Sequence, residues 1–168
     1  MNIFKLLNMY QDFISGGANM NDKAEIYLSF EGNRVRMPVV PAELPPIEQS
    51  QNNGVFNSVI GDMNTIGLMG LRTMTLDLFL PSDVNKYSFA KGDNANDIIN
   101  FINSNRPKGK PFTITITKGN ITYINMDCLL NTVSYSMTNT ADYKLNLEIV
   151  EYVKREVMPN VTSTSNSE

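Results

Sequence analysis

The stretch Phe112-Thr113-Ile114-Thr115-Ile116-Thr117-Lys118-Gly119-Asn120-Ile121 decides how this chain is read. Apolar residues alternate with threonines, and alternation at period two among β-branched side chains is the pattern of a half-buried strand. Lys118-Gly119-Asn120 turns the chain back into a second run, Ile121 to Leu130, and Val133, Tyr135 and Met137 carry the alternation further. A helix would place its apolar residues three and four apart, so the region reads as antiparallel strands.

Outward from this pair the same period recurs. Ile26, Leu28 and Phe30 alternate with Glu25, Tyr27 and Ser29; Glu31-Gly32-Asn33 is a turn, and Val35, Met37 and Val39 resume the pattern. Pro41, Pro45 and Pro46 end that ladder, because proline donates no backbone hydrogen bond. Ile47 to Ile60 reads as two short strands around Asn52-Asn53-Gly54, with Gly61-Asp62-Met63-Asn64 a further turn. Leu71 to Leu80 is the cleanest strand, with Met74, Leu76, Leu78 and Leu80 on one side. One internal helix interrupts the series: Asn94 suits an N-cap, Asp97 follows three residues later, and Ile98, Ile99, Phe101 and Ile102 form its apolar face. In the last strand Tyr143, Leu145, Leu147 and Ile149 face inward. The apolar phase changes at Ile149-Val150, which predicts a bulge or a change of environment there.

These elements predict a mainly β (α+β) domain, an antiparallel β-barrel or sandwich of about eight strands with one internal helix. Clean alternation argues against a parallel βαβ sheet, whose strands are apolar on both faces. The β-rich domain spans 24–157. Residues 1–17 form an N-terminal helical extension, with Ile3, Leu6, Leu7, Tyr10, Phe13 and Ile14 on one face and Gly16-Gly17 ending it. The polar tail, 158–168, has no apolar period and is expected to be disordered in isolation. Neither a membrane span nor an export signal is visible: Lys5, Asn8, Gln11 and Asp12 break the N-terminal apolar stretch.

Composition narrows the chemistry. With no His and one Cys among 168 residues, the chain has neither the usual proton shuttle nor a cysteine framework. A net charge of −3 argues against tracking nucleic-acid phosphates. Asp93-Asn94-Ala95-Asn96-Asp97 begins like a calcium loop, but Ile98 and Ser104 stand where that loop needs Gly and a bidentate Glu. Asp77, Asp127, Glu148 and Glu151 read as outward, solvated carboxylates without a local catalytic signature. Cys128 lies in the inward phase and reads as a small core residue. Gly61, Gly67 and Gly70 precede a strand rather than a helix, so no phosphate cradle is expected. Asn120-Ile121-Thr122 and Asn160-Val161-Thr162 match the glycosylation triplet, but nothing points to a secretory route. Metal and cofactor sites are expected to be absent.

The order of several short segments nevertheless resembles a family. Ile26-Tyr27-Leu28-Ser29-Phe30, Met37-Pro38-Val39-Val40-Pro41 with Glu43, Ile66-Gly67, Gly70-Leu71-Arg72, Phe79-Leu80-Pro81, the helix Ile98 to Asn103, Gly109-Lys110-Pro111-Phe112 and the strand Leu145 to Tyr152 occur in the order and spacing of LysM-type tail assembly proteins. Those belong to the baseplate hub of contractile phage tails, of PBSX-like prophages and of phage-tail-like bacteriocins of the diffocin kind. The likeness runs from residue 24 to about 153. It implies a non-enzymatic structural adaptor joining the central tube-spike complex to the baseplate wedges. The implied partners are hub, spike, tube and wedge proteins, in multiple copies within a symmetric particle, with no nucleic acid or membrane. The implied location is the particle baseplate, after assembly in the bacterial cytoplasm. Residues after Val157 are too few and too polar for a LysM module, so peptidoglycan binding is not carried over. Candidate interface residues are Phe4, Leu7, Tyr10, Pro41 and Pro45, on the N-terminal helix and a proline-rich arm, Pro38 to Pro46. The alternatives are a peptidoglycan-binding or wall-cleaving accessory tail protein, and a small-ligand β-barrel marked by an internal cavity.

Overall fold

Alternating apolar side chains become buried only when neighbouring strands hold them in register on one face. The computed structural model describes residues 23–154. The helical extension expected over 1–17, with Phe4, Leu7 and Tyr10, and the tail over 158–168 lie outside the described residues. Strands β1 (Ala24–Phe30) and β2 (Asn33–Arg36) form a hairpin over Glu31-Gly32. Both turn residues have positive φ, 48° and 85°, the handedness that a two-residue hairpin turn shares with twisted strands. The chain then crosses the body through the proline-rich segment, from which Val40, Leu44 and Ile47 pack against the core.

After a ribbon of β3 (Gly54–Ser58) and β4 (Gly61–Thr65), β5 (Thr73–Leu80) returns to the body. Helix α1 (Ala95–Asn105) precedes β6 (Phe112–Lys118), β7 (Ile121–Met137) and β8 (Tyr143–Glu151). Six strands make one antiparallel sheet in the order β2-β1-β6-β7-β8-β5. Register sets Ile26 opposite Ile116, Ile114 opposite Met126 and Leu76 opposite Leu147, so each strand sends its apolar set to the same side. Ala95, Ile98, Ile99 and Ile102 of α1 join that core. Burying each such Ile or Leu side chain contributes about 1.5–3 kcal/mol.

The expected mainly β antiparallel domain, with eight strands and one internal helix among the described residues, is therefore present. Hydrogen bonding makes it one six-stranded sheet with β2 and β5 at its edges, and the β3–β4 ribbon is a separate two-stranded unit. Two local expectations take a different form. β8 runs without a break, and β7 carries two bulges instead, one at Tyr123 against Ile116–Thr117 of β6 and one that adds Asn131 between Leu130 and Thr132 against β8. β7 is 17 residues long and pairs first with β6 and then with β8, and the extra residues adjust its twist between the two partners. Val150 simply faces outward between Thr73 and Leu129. Asn94 is the N-cap residue of α1, as expected, but its side chain makes no cap bond; its Oδ1 accepts from the Val84 amide at 3.0 Å, tying the β5–α1 loop to the helix start.

Candidate interaction surface

Between the body strands the chain leaves the sheet and returns after 25 residues. The excursion is one long hairpin, not two strands around Asn52-Asn53-Gly54. Glu48 and Thr73 exchange backbone hydrogen bonds at its root, 2.9 and 2.8 Å. Gly70 N–H donates to Ser50 O at 2.7 Å and Asn52 N–H to Leu68 O at 3.1 Å. The β3–β4 ladder then continues to a two-residue tip, Val59-Ile60, between Ser58 and Gly61. Asn53 lies inside the first leg because its Oδ1 accepts from the Gly67 amide at 3.1 Å, so its polar side chain bridges the legs rather than closing a turn. A Cβ on Gly67 would sit 1.4 Å from Asn52 O, so only glycine lets the legs approach so closely. At the tip, Gly61 takes φ +122° and Ser58 Oγ donates to Gly61 O at 2.9 Å.

The root is clamped to the sheet. Arg72 donates to Glu151 twice, from its amide at 3.0 Å and its guanidinium at 2.6 Å, and Glu151 N–H donates back to Arg72 O at 2.8 Å. The guanidinium, followed by the amide, holds the Glu151 carboxyl below its ordinary range. Glu151 was expected to be solvated, yet its side chain is only 15% exposed in this ion pair. A second carboxylate, Asp142, is fully buried beside the turn before β8. It accepts from the Ser82 amide and hydroxyl, Lys86 Nζ, Tyr87 Oη and Thr140 Oγ1, at 2.7–3.2 Å. The Ser82 amide, then the Lys86 ammonium, hold its carboxyl well below the carboxylate range. This latch joins the β5–α1 loop to the β7–β8 turn.

Beyond the clamp, no other element among the described residues covers the hairpin. Nine large apolar residues from Val55 to Leu71 are about half exposed or more, with Val59 and Ile60 almost entirely so. Charge is nearly missing: from Gln49 to Leu71, Asp62 alone is ionised. Water does not favour so much uncovered apolar surface, and exposed patches of this kind mark contact sites.

The other candidates fall elsewhere. Pro41 lines an open groove of about 690 Å³ with Met37, Val39, Leu44 and Phe89, rimmed by Lys23, Lys91 and Lys118. Pro45 O accepts from Tyr123 Oη at 3.1 Å, so the proline-rich segment clasps the body rather than projecting from it. Asp77 accepts from Asn146 and Asp127 from Thr113, each at 2.7 Å across neighbouring strands. Cys128 is buried, and desolvation pushes its thiol up to about 12. Among the described residues no group of three or more His, Cys, Asp or Glu side chains is arranged to hold a metal ion, and no helix is long and apolar enough to cross a membrane.

The sequence reading missed the arm's continuity, the Arg72–Glu151 clamp and the Asp142 latch. One signal was available: a run of 23 residues, Gln49 to Leu71, with one charge and four glycines. The chain matches no protein-family model and no curated protein.

Proposed function

We propose that this chain is a structural adaptor of a contractile phage tail or phage-tail-like particle, linking the central tube-spike complex to the baseplate wedges. The observation that carries the reading is the clamped, nearly uncharged arm, a device for holding a neighbouring protein. The resemblance of ordered segments from Ile26 to Tyr152 to baseplate hub proteins supplies the kind of neighbour. A subunit fixed in an assembly covers its exposed apolar surface with other subunits, as interface cores are covered. Pro41 and Pro45 flank the groove and the body side of the same chain and are proposed as further contact positions.

Purified particles from the producing bacterium test this directly. Mass spectrometry and cross-linking should place the subunit at the baseplate, in contact with hub or wedge proteins. Its absence from intact particles ends the proposal. Incubating the purified chain with peptidoglycan sacculi separates the wall-active alternative, since pelleting or released fragments would favour that alternative.

A further inference from the structure

We propose that residues 1–17 pack, as an amphipathic helix, along the chain's own groove beside Met37, Val39, Leu44 and Phe89. The inference goes beyond the adaptor reading and does not depend on it.

The groove is an apolar trough of about 690 Å³. From Met37 to Ala42 the segment that lines it has no charged residue. The β5–α1 loop lies alongside, held by Lys91 N–H donating to Pro38 O at 2.9 Å, and adds Phe89, which is 55% exposed. An apolar trough of this kind receives the apolar face of a helix.

The course of the chain selects the occupant. Lys23, on the rim of the groove, is the first described residue, so the 22 residues before it enter the body there. The residues after Lys154 depart from elsewhere. Tyr152 N–H donates to Asp127 O, and Asp127 pairs with Thr113, five residues along β6 from the Lys118 that pairs with Ala24. That tail is also polar, with only Val157, Met158 and Val161 as large apolar residues, so it offers no face for the trough.

The leading segment does offer one. Ile3, Leu6, Leu7, Tyr10, Phe13 and Ile14 recur at helical spacing. Lys5 and Asp12 fall on the opposite side at 3.6 residues per turn, so docking desolvates neither. Phe4 also lies off the apolar face, which leaves the helix a side for a neighbouring subunit. At a rise of 1.5 Å per residue, Ile3 to Ile14 spans about 17 Å. Ser15 to Asp22 reaches at most about 29 Å when extended, and Gly16-Gly17 permits the reversal that lays the helix back over the groove. So short a tether gives an effective concentration in the millimolar range, which favours the chain's own segment over that of another copy. A helix of this length is marginal in water by itself, so its order depends on the cover that the groove supplies.

Hydrogen–deuterium exchange on the full chain tests the proposal. The amides from Ile3 to Ile14 should exchange slowly, and equally so at roughly 1 and 100 μM protein, since docking within one chain is independent of concentration. In Phe89→Asp, which places a carboxylate in the trough at a half-exposed position, those amides should exchange at least about 10-fold faster, with an unchanged thermal melt of the body. Should Phe89→Asp unsettle the body, the double variant Leu6→Asp/Tyr10→Asp serves in its place and should also speed exchange at Val39 and Leu44. Three results each overturn the inference: rapid exchange over residues 3–14 in the wild type, protection that the substitutions leave intact, or protection that grows with concentration, which would give the groove to another copy's segment.

Discussion

Leu76 in β5 and Val55 in β3 are both branched aliphatic residues on antiparallel strands of one chain, yet the first is 1% exposed and the second 70%. The strand around Leu76 alternates apolar and polar residues, pairs with β8, and joins a core that α1 covers. The strand around Val55 pairs only with β4, and no helix or second sheet lies over either face among the described residues. Strand propensity alone therefore does not produce burial. Burial needs a further layer, and an isolated two-stranded ribbon in water is marginal without one. The arm keeps its form through glycine-permitted close approach, cross-leg amide bonds and a clamped root. Among the described residues, its apolar side chains stay exposed.

The largest effect should come from breaking the body. Leu147→Ala, at a position with no exposure and neighbours on both sides, should cost about 2–5 kcal/mol in denaturant unfolding. A loss below about 1 kcal/mol would show that the sheet does not enclose this side chain.

Next comes the latch. Asp142→Asn removes the charge while preserving shape, and should lower Tm by several degrees at neutral pH. Because the folded carboxyl titrates below its ordinary value, its contribution is full above the ordinary carboxylate range and disappears as pH falls through the folded value. Glu151 acts in the same direction. The wild type should therefore lose stability steeply below about pH 4, and Asp142→Asn should show a shallower acid limb. Parallel limbs would deny the latch its role.

A local break should sharpen the contrast further. Gly67→Ala forces the arm's legs apart, since the added Cβ cannot coexist with Asn52 O at 1.4 Å. Amide hydrogen exchange should quicken between Gln49 and Leu71, while β5 to β8 keep their protection. Equal acceleration in both regions would mean that the arm and body unfold as one unit. The smallest effect on folding belongs to Val59→Ser at the tip, where the side chain is fully exposed. Stability should change by less than about 0.5 kcal/mol, a bound that chemical denaturation resolves.

Much of the body was legible because its code is local. Ile114, Ile116, Leu145 and Leu147 declare their face by period two, and Glu31-Gly32 declares its hairpin by supplying positive φ. The arm was hidden for a physical reason. Asn52-Asn53-Gly54 carries strong turn chemistry, but the cross-leg bond from Gly67 draws it into a straight leg, while Val59-Ile60, poor turn residues by composition, form the tip. Arg72 and Glu151 are 79 residues apart, and Asp142 gathers donors from Ser82, Lys86 and Tyr87. No spacing rule connects such pairs.

By itself, then, the sequence determined which residues alternate, where most turns fall, that one helix interrupts the strands, and that these 168 residues include no His. Those properties depend on neighbours within a few positions, which side-chain period and backbone preference record. Tertiary structure alone decided which strands share the six-stranded sheet, that its bulges fall in β7, and that Asp142 and Glu151 are held in buried or half-buried networks. It also decided that the apolar residues of the 48–73 hairpin stay outside the core while equally apolar ones fill it. Hydrophobicity states that a side chain favours leaving water. Only the arrangement of distant segments settles whether this chain supplies the cover or another must.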